Sequence, residues 1–599
     1  MSTFESSDSI RSARPLKHAR RVVFGEPVVL ELGGQLDGVT AVYETYGTLN
    51  AARDNAILIC HALSGDSHVT AHDDADDPGW WDIAVGPGKA IDTNKYFVIC
   101  PNVLGGCRGT TGPGSTNPLT GRPYGADFPT ITAADIAEVQ HRVVTHLGVD
   151  RLLAAVGGSM GGHQVLAWAT KFPDQVRGAI ALATSPRLTI RALAFDVVGR
   201  NAIIRDPNFC GGQYYDSNCV PGVGLALARM LGHITYLSPQ AMTEKFEADR
   251  LQPKDLPTVF EKKFSVGSYL AYQGHKFVER FDANSYITLS LAMDLFDLGS
   301  TPAELAQSLA RSTCRWMVVS FTSDWLFPSE QSREVVDTLL SLGKPVSYCN
   351  VASGSGHDAF LLPEDLPVYG EIMRAFLANL SNGGNGTGDE DEDVYLTSPT
   401  SIFHTHRLDY DRIVSLIPPS SSVLDLGCGR GRLLQRLKKT SGRLMGLELE
   451  EGAVVSCMQR GLNVVHADLN HGLAPFGDRQ FDYVVLSQTL QAVRNVELVI
   501  NGMLRVGRRC VVSFPNFAYH KLRRMLYEQG KAPESPGLLR YKWYDSPNIR
   551  FFTIVDFEDF CKERGIKIHQ RIALDTEEGK EVVDDPNGQA DTAIFVLSK

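Results

Sequence analysis

The sequence predicts two successive α/β domains, each built on a mostly parallel sheet, and three observations support this. The chain has 599 residues, about four times the ~150 that serve as a prior for one domain. Residues 381–393, SNGGNGTGDEDED, set four glycines ahead of five consecutive carboxylates with nothing apolar to bury, the composition of a flexible acidic tether. On both sides of it short apolar runs alternate with helical patterns, as parallel strands joined by crossover helices do. The expected divisions are a disordered N-terminus over 1–19, a first domain over 20–380, the tether, and a second domain over 394–599.

Composition narrows the class. With 58 Lys and Arg against 69 Asp and Glu the net charge is −11, and no basic run offers a polyanion site, so no nucleic acid is expected. The opening MSTFESSDSI carries no apolar segment behind basic residues, and no run reaches 18 apolar residues. Neither a secretory signal nor a membrane partner is expected, and a cytoplasmic location is. The 11 cysteines contain no C-x-x-C pair, which points to reduced thiols rather than a disulfide framework or zinc ribbon.

In the first block, NAILICHA (55–62), KYFVICPNV (95–103), LLAAVGG (152–158), RGAIALAT (177–184) and RWMVVSFT (315–322) have the unbroken apolar character of strands buried on both faces. One helix between them is legible in detail. Thr132 caps it with Asp135 three residues on, Ile136, Val139, Val143 and Leu147 form its apolar stripe, and Gly148 ends it. Residues 186–308 break the alternation with a mainly helical pattern and read as an inserted helical lid.

GGSMGG at 157–162 follows the strand LLAAV and precedes the helical HQVLAWATKF. G-x-S-x-G between strand and helix is the nucleophile elbow of the α/β-hydrolase fold, in which the glycines allow a turn tight enough to lift the Ser159 hydroxyl off the sheet. A serine hydroxyl needs a base held by a carboxylate, and this fold supplies them later in the order Asp, His. Asp324, after RWMVVSFT, and His357, after VSYCNV, stand at the ends of consecutive strands, where such sheets gather their sites. The oxyanion requires two backbone N–H groups, expected from Met160 and from Leu63 in HALSGDSH (61–68). His61 and His68 of that loop have no carboxylate at metal-ligand spacing, so no metal is expected.

GGSMGG and HALSGDSH, with PGWWD (78–82), YGADFP (124–129), LARMLGHITYLS (227–238), FDANSYI (281–287), SDWLFP and GHDAFL, resemble the MetX-type homoserine O-acyltransferases over nearly all of 20–380. The resemblance implies that Ser159 takes an acyl group from acyl-CoA and passes it to the hydroxyl of L-homoserine, with His357 as base and acid and Asp324 as its orienter. It also places Arg229 on the homoserine carboxylate and Asp358 on its ammonium, a cation and an anion suited to a zwitterion. Succinyl users of this family resemble one another in an arginine soon after the triad aspartate. Here Trp325, Leu326, Phe327 and Pro328 follow, so acetyl-CoA is the expected donor, with succinyl-CoA as alternative if another arginine such as Arg108 substitutes. A serine hydrolase is the alternative from another reaction class. Members of the family are commonly homodimers through the lid, and a homodimer is expected here.

After the tether, SSVLDLGCGRGRLLQRL (421–437) gives a strand ending at Asp425, a loop with Gly427, Gly429 and Gly431, and a helix. Counting G-x-G-x-x-G from Gly427 puts Arg432 at the last glycine, which disfavours a dinucleotide. D-x-G-x-G-x-G with an acid, Glu448, at the end of the next strand resembles the Rossmann-like class I S-adenosylmethionine methyltransferases. In that resemblance Glu448 meets the ribose hydroxyls and Asp468 the adenine amino group. Cys428 reads as a filler within the loop, and the His404/His406 pair as solvated. With FDYVVLSQTLQ (481–491), SFPNFAY (513–519) and WYDSPNIRFFTIVDF (543–557), the block resembles MetW, a methyltransferase-like family associated with methionine synthesis. A methyltransferase of unknown acceptor is implied, with a regulatory module sensing S-adenosylmethionine as alternative. Tyr519 and Tyr544 are candidate substrate contacts, with simple packing as the alternative.

Overall fold

The computed structural model describes residues 16–217, 219–247, 264–381, 407–533, 543–544 and 546–599. The chain divides into two compact units between Gly384 and Asn385. Most of residues 1–19, expected to be disordered, nearly all of the expected tether and the His404/His406 pair lie outside the described residues.

In the first unit, eight described strands form one sheet: β1 (Arg20–Val23), β2 (Thr40–Tyr46), β3 (Ala56–Cys60), β4 (Phe97–Pro101), β5 (Leu152–Gly158), β6 (Val176–Leu182), β7 (Arg315–Phe321) and β8 (Val346–Val351). Their order is β1-β2-β4-β3-β5-β6-β7-β8. β2 runs antiparallel to both neighbours, and every pairing from β4 to β8 is parallel. All of β3 and β5 is buried, which explains why these strands show no apolar–polar alternation. Parallel strands bring their carboxyl ends to one edge, and Leu63, Ser159, Asp324 and His357 follow the ends of β3, β5, β7 and β8 there.

Helix α1 (Ala133–His146) has the expected reciprocal cap between Thr132 and Asp135 and buries Ile136, Val139 and Val143. Helix α2 (Met160–Lys171) starts one residue after β5. Between β6 and β7 stand α3 (Ile190–Ile204), α4 (Gly222–Tyr236), α5 (Pro239–Phe246), α6 (Ser265–Val278), α7 (Ala283–Asp294) and α8 (Pro302–Ala310). This helical insertion occupies the place of the expected lid. Helices α9 (Ser329–Ser341) and α10 (Leu366–Ser381) complete the unit.

The second unit has its own sheet: β9 (Val423–Leu426), β10 (Leu444–Glu448), β11 (Val464–His466), β12 (Phe481–Ser487), β13 (Gly507–Pro515), β14 (Lys567–Asp575), β15 (Lys580–Glu581) and β16 (Thr592–Ser598). The order is β11-β10-β9-β12-β13-β16-β14-β15. β9 to β13 pair in parallel, and β16 lies antiparallel between β13 and β14. The winding reverses at β9, so a ligand crevice is expected outside its carboxyl end, where Asp425 sits. Val423, Val485, Val511, Ile572 and Ile594 from the sheet join Ile413, Leu433 and Leu437 in one core. All 11 cysteines are free thiols. Among the described residues no helix is long and apolar enough to cross a membrane.

Candidate active sites

Ser159 occupies a strained backbone position, φ 57° and ψ −125°, between β5 and α2. Such a conformation persists only where the surroundings over-determine it, and here the chain passes very close to β3. A Cβ on Gly161 would lie 2.1 Å from the Cys60 carbonyl oxygen, and one on Gly157 would lie 2.4 Å from the Gly161 oxygen. These two positions therefore exclude every side chain, and the turn presents Ser159 at the sheet edge.

His357 and Asp324 come together as expected. His357 Nδ1 donates to Asp324 Oδ2 at 2.8 Å, and both side chains are buried. The other carboxylate oxygen accepts the backbone N–H groups of Leu326 and Phe327 at 3.0 and 2.9 Å, which fixes the plane of the carboxylate. The imidazole stacks on Phe327 and meets Phe360 edge-on, while the same Phe360 ring closes over Gly158 beside Ser159. Burial opposes an imidazolium, but Asp324, helped by Asp358, outweighs it and holds the His357 pKa above its ordinary value.

Leu63 and Met160 are both buried. Among the described residues, neither backbone N–H donates to a protein acceptor, as an oxyanion hole requires. Their two segments are tied together by one side chain. Gln164 Nε2 donates to the His61 carbonyl at 3.0 Å and to the Met160 carbonyl at 3.2 Å. Its Oε1 accepts from Gln140, and Gln140 accepts from Trp168. This buried polar chain was not visible in the sequence, because its members lie on two helices and a loop.

Arg229, on α4, is no surface ion pair. Its guanidinium lies 4.7 Å from the Phe277 ring and 5.6 Å from Tyr236, and Nη1 donates to Ser64 Oγ at 3.5 Å, next to Leu63. Burial, with the Asp324 charge adding to it, raises the Asp358 pKa against the pull of His357 and Arg229. Tyr236, whose ring centroid is 6.0 Å from that of His357, neighbours both Arg229 and His357; it belongs to LARMLGHITYLS but carries no separate signal. Arg108 pairs with Asp66 at 3.3 Å. Arg191 carries no signal in the sequence: it donates to the Trp325 carbonyl and covers the Trp325 ring at 5.3 Å.

His61 and His68 part company. The Val103 N–H donates to His61 Nε2, leaving the ring proton on Nδ1 for the Ala62 carbonyl. His68 instead reaches a carboxylate, Glu44, at 3.0 Å, which corrects the expectation from spacing that no carboxylate joins this loop. Glu44 lies on β2, and strand order rather than sequence distance brings it there.

In the second unit Asp425 is buried, and its Oδ1 has no hydrogen-bond partner. Burial and the neighbouring Glu448, opposed by Arg407, push its pKa up to about 7. Glu448 Oε2 accepts the Gly429 N–H at 2.7 Å, and Oε1 accepts those of Leu449 and Glu450, so the acid is aimed at the glycine loop. Gly427, Gly429 and Gly431 all have positive φ, and beyond Gly429 the space where a Cβ would stand is open. Asp468 caps a turn through Asn470. An orphaned buried carboxylate oxygen beside an open glycine loop fits an ammonium-bearing nucleoside such as S-adenosylmethionine. Cys428 is buried against Cys457, sulfur to sulfur 3.9 Å, and fills space as expected. Tyr519 packs on Leu522, whereas Tyr544 is exposed.

The comparisons agree with the fold of the two units. Residues 55–364 match the family described as alpha/beta hydrolase fold, and residues 407–597 that described as Methionine biosynthesis protein MetW. The bifunctional methionine biosynthesis protein MetXA/MetW of Rhodopirellula baltica is 48% identical over 99% of this chain and 95% of its own. A homoserine O-succinyltransferase of Acidithiobacillus ferrooxidans is 46% identical over 63% of this chain and 97% of its own. A homoserine O-acetyltransferase of Rhodopseudomonas palustris is 49% identical over 61% and 91%. Among solved structures, homoserine O-acetyltransferase from Bacillus anthracis aligns with TM-score 0.54 at 31% identity, covering 60% of this chain and 97% of that one. Esterase E22 aligns with TM-score 0.55 at 30% identity, covering 60% and 100%. With both units matched, and one relative aligned along nearly the whole length, the chain belongs to the family of bifunctional MetXA/MetW methionine biosynthesis proteins.

Proposed function

We propose that the first unit is a homoserine O-acyltransferase of methionine biosynthesis that moves an acetyl group from acetyl-CoA to the hydroxyl of L-homoserine by a ping-pong route. Ser159 attacks the thioester as His357 Nε2 takes its proton, Leu63 and Met160 hold the oxyanion, and CoA leaves as the thiol with that proton. Homoserine then enters with its carboxylate toward Arg229 and its ammonium toward Asp358, and its hydroxyl displaces Ser159 from the acyl group while His357 works in reverse. The observation that carries this reading over a hydrolase is the presence of both a cation, Arg229, and an anion, Asp358, near His357, since water as acceptor needs neither charge.

Acetyl is preferred because the wall after Asp324 is apolar. Leu326 and Phe327 pack with Leu188, Leu193 and Met293, and Arg108 is already paired with Asp66. Arg191 supports succinyl as a second reading, because it sets a guanidinium against Trp325, the residue after the triad aspartate. Thiol release by the full-length chain from acetyl-CoA and from succinyl-CoA, each with and without L-homoserine, tests all three readings. Homoserine-dependent release from acetyl-CoA is expected. Faster release from succinyl-CoA would install the second reading, and release indifferent to homoserine would mean a hydrolase.

Val197, Val198 and Ile204 on α3, with Val223, Leu227 and Ile234 on α4, are exposed. This apolar surface supports a homodimer through the lid, which light scattering at micromolar concentration checks. For the second unit we propose S-adenosylmethionine binding by Asp425, the loop 427–431, Glu448 and Asp468, in a methyltransferase whose acceptor is open. The alternative is a sensor of the same ligand. Calorimetric titration with S-adenosylmethionine, lost in Glu448→Ala, tests the binding. A response of the thiol-release rate to S-adenosylmethionine would favour the sensor.

A further inference from the structure

Beside the loop that carries Leu63, three potential metal ligands converge, and none has a part in the acyl-transfer reading. Glu44, on β2, is completely buried. Its Oε2 stands 3.0 Å from His68 Nδ1 and 2.9 Å from His72 Nε2, and all three ligand atoms lie within 4.8 Å of one another. We propose that Glu44, His68 and His72 form a binding site for a divalent transition-metal ion, with zinc as the chemically best match.

The donor set is two imidazoles and one carboxylate, nitrogen and oxygen ligands of the type that binds zinc with a further position left for water. Magnesium and calcium prefer oxygen donors and are disfavoured by the two nitrogens. The surroundings are those that a metal site needs outside its ligands. His68 Nε2 is 2.7 Å from the Asp77 carbonyl, which holds the ring so that Nδ1 faces Glu44. Ser67 donates to Glu44 Oε1 and Tyr46 to Oε2, orienting the carboxylate. His72 is clamped between two rings, Tyr46 at 4.3 Å and His18 at 4.2 Å. The side chains of His68 and His72 retain 13% and 19% exposure, so an ion has a way in from solvent. A proton and a metal compete for His68 Nδ1, and binding displaces that proton to solvent. The ion would pin the 62–77 loop to β2, fixing the backbone from which the Leu63 N–H projects.

The test uses the full-length chain, stripped with chelator and then supplied with zinc chloride. One zinc per chain is expected after gel filtration by elemental analysis, together with a rise in the unfolding temperature that magnesium does not reproduce. Cobalt(II) should show the visible absorption of a four-coordinate ion. His72→Gln changes the less buried of the two histidines and should lower zinc affinity at least about 100-fold, more than the loss of an outer-shell partner. Its metal-free unfolding temperature should stay close to that of the stripped parent. Glu44→Gln is the second variant, read by zinc retention alone if it folds. Substoichiometric zinc with no thermal shift would overturn the proposal, leaving a hydrogen-bonded Glu44–His68 pair. Zinc retained equally by parent and His72→Gln would also overturn it, placing the ion elsewhere, such as on the exposed Cys210 or Cys219.

Discussion

Asp324→Asn isolates what the buried carboxylate does, and its effect can be worked out atom by atom. Asp324 Oδ1 is held by the Leu326 and Phe327 N–H groups, so the asparagine oxygen takes that place and its amide NH₂ replaces Oδ2. A donor then faces His357 Nδ1, 2.8 Å away in the parent. The ring proton must move to Nε2, the nitrogen that has to accept the Ser159 proton. The variant therefore loses both the productive tautomer and the charge that stabilises the imidazolium. For charge centres about 4 Å apart at an effective dielectric of about 20, that charge is worth about 4 kcal/mol, or roughly three powers of ten in rate. With the tautomer added, a loss of about 10³- to 10⁴-fold is expected. Stopped-flow measurement of thiol release from acetyl-CoA reads the acylation step directly. The pH profile of kcat/KM provides a second readout. In the parent, activity should fall on the acid side with a midpoint above 6.5, since the base must be neutral and its pKa is raised. In the variant only Asp358 still opposes burial, and the midpoint should move down from that of the parent. The same raised pKa favours the folded state below pH 6.5, a contribution lost as pH climbs through the folded value. An acylation rate within tenfold of the parent, or an unmoved acid limb, would refute the assignment of Asp324.

Ser159→Ala should lower turnover by about 10⁶-fold, and retention of even a tenth of the activity would sink the acyl-enzyme route. Gly161→Ala places a methyl 2.1 Å from the Cys60 oxygen, an overpacking that costs at least about 1–3 kcal/mol; an unchanged denaturation midpoint would contradict the close approach. Leu326→Arg should raise the succinyl-to-acetyl rate ratio if that wall reads the acyl tail, whereas a ratio that responds only to Arg191→Ala would move the tail to the lid. Gly429→Ala meets no neighbour but sits at φ 53°, so it should cost about 1–2 kcal/mol of stability. It should also weaken S-adenosylmethionine binding by tenfold or more, and calorimetry showing normal affinity would remove the loop from the binding site.

What could be read from the sequence follows from how local each feature is. The elbow needs only consecutive residues, a strand, two glycines around a serine and a helix, so its signature survives in one dimension. The Thr132 cap and the glycine loop after Asp425 are legible for the same reason. Asp324 and His357 are farther away, yet each ends a strand whose carboxyl edge must meet the elbow in a parallel sheet. The sequence is silent where a contact depends on which strands are neighbours. Glu44 and His68 lie 24 residues apart on segments that the later strand β4 separates in the sheet, and no spacing rule anticipates an inserted strand. Arg191 reaches Trp325 across 134 residues because a helical insertion separates β6 and β7 in the chain although the two strands are parallel neighbours in the sheet. An arginine thus comes against Trp325 in space although none follows Asp324 in the chain. Residues 325–328 read alone therefore leave out the guanidinium that α3 sets against them.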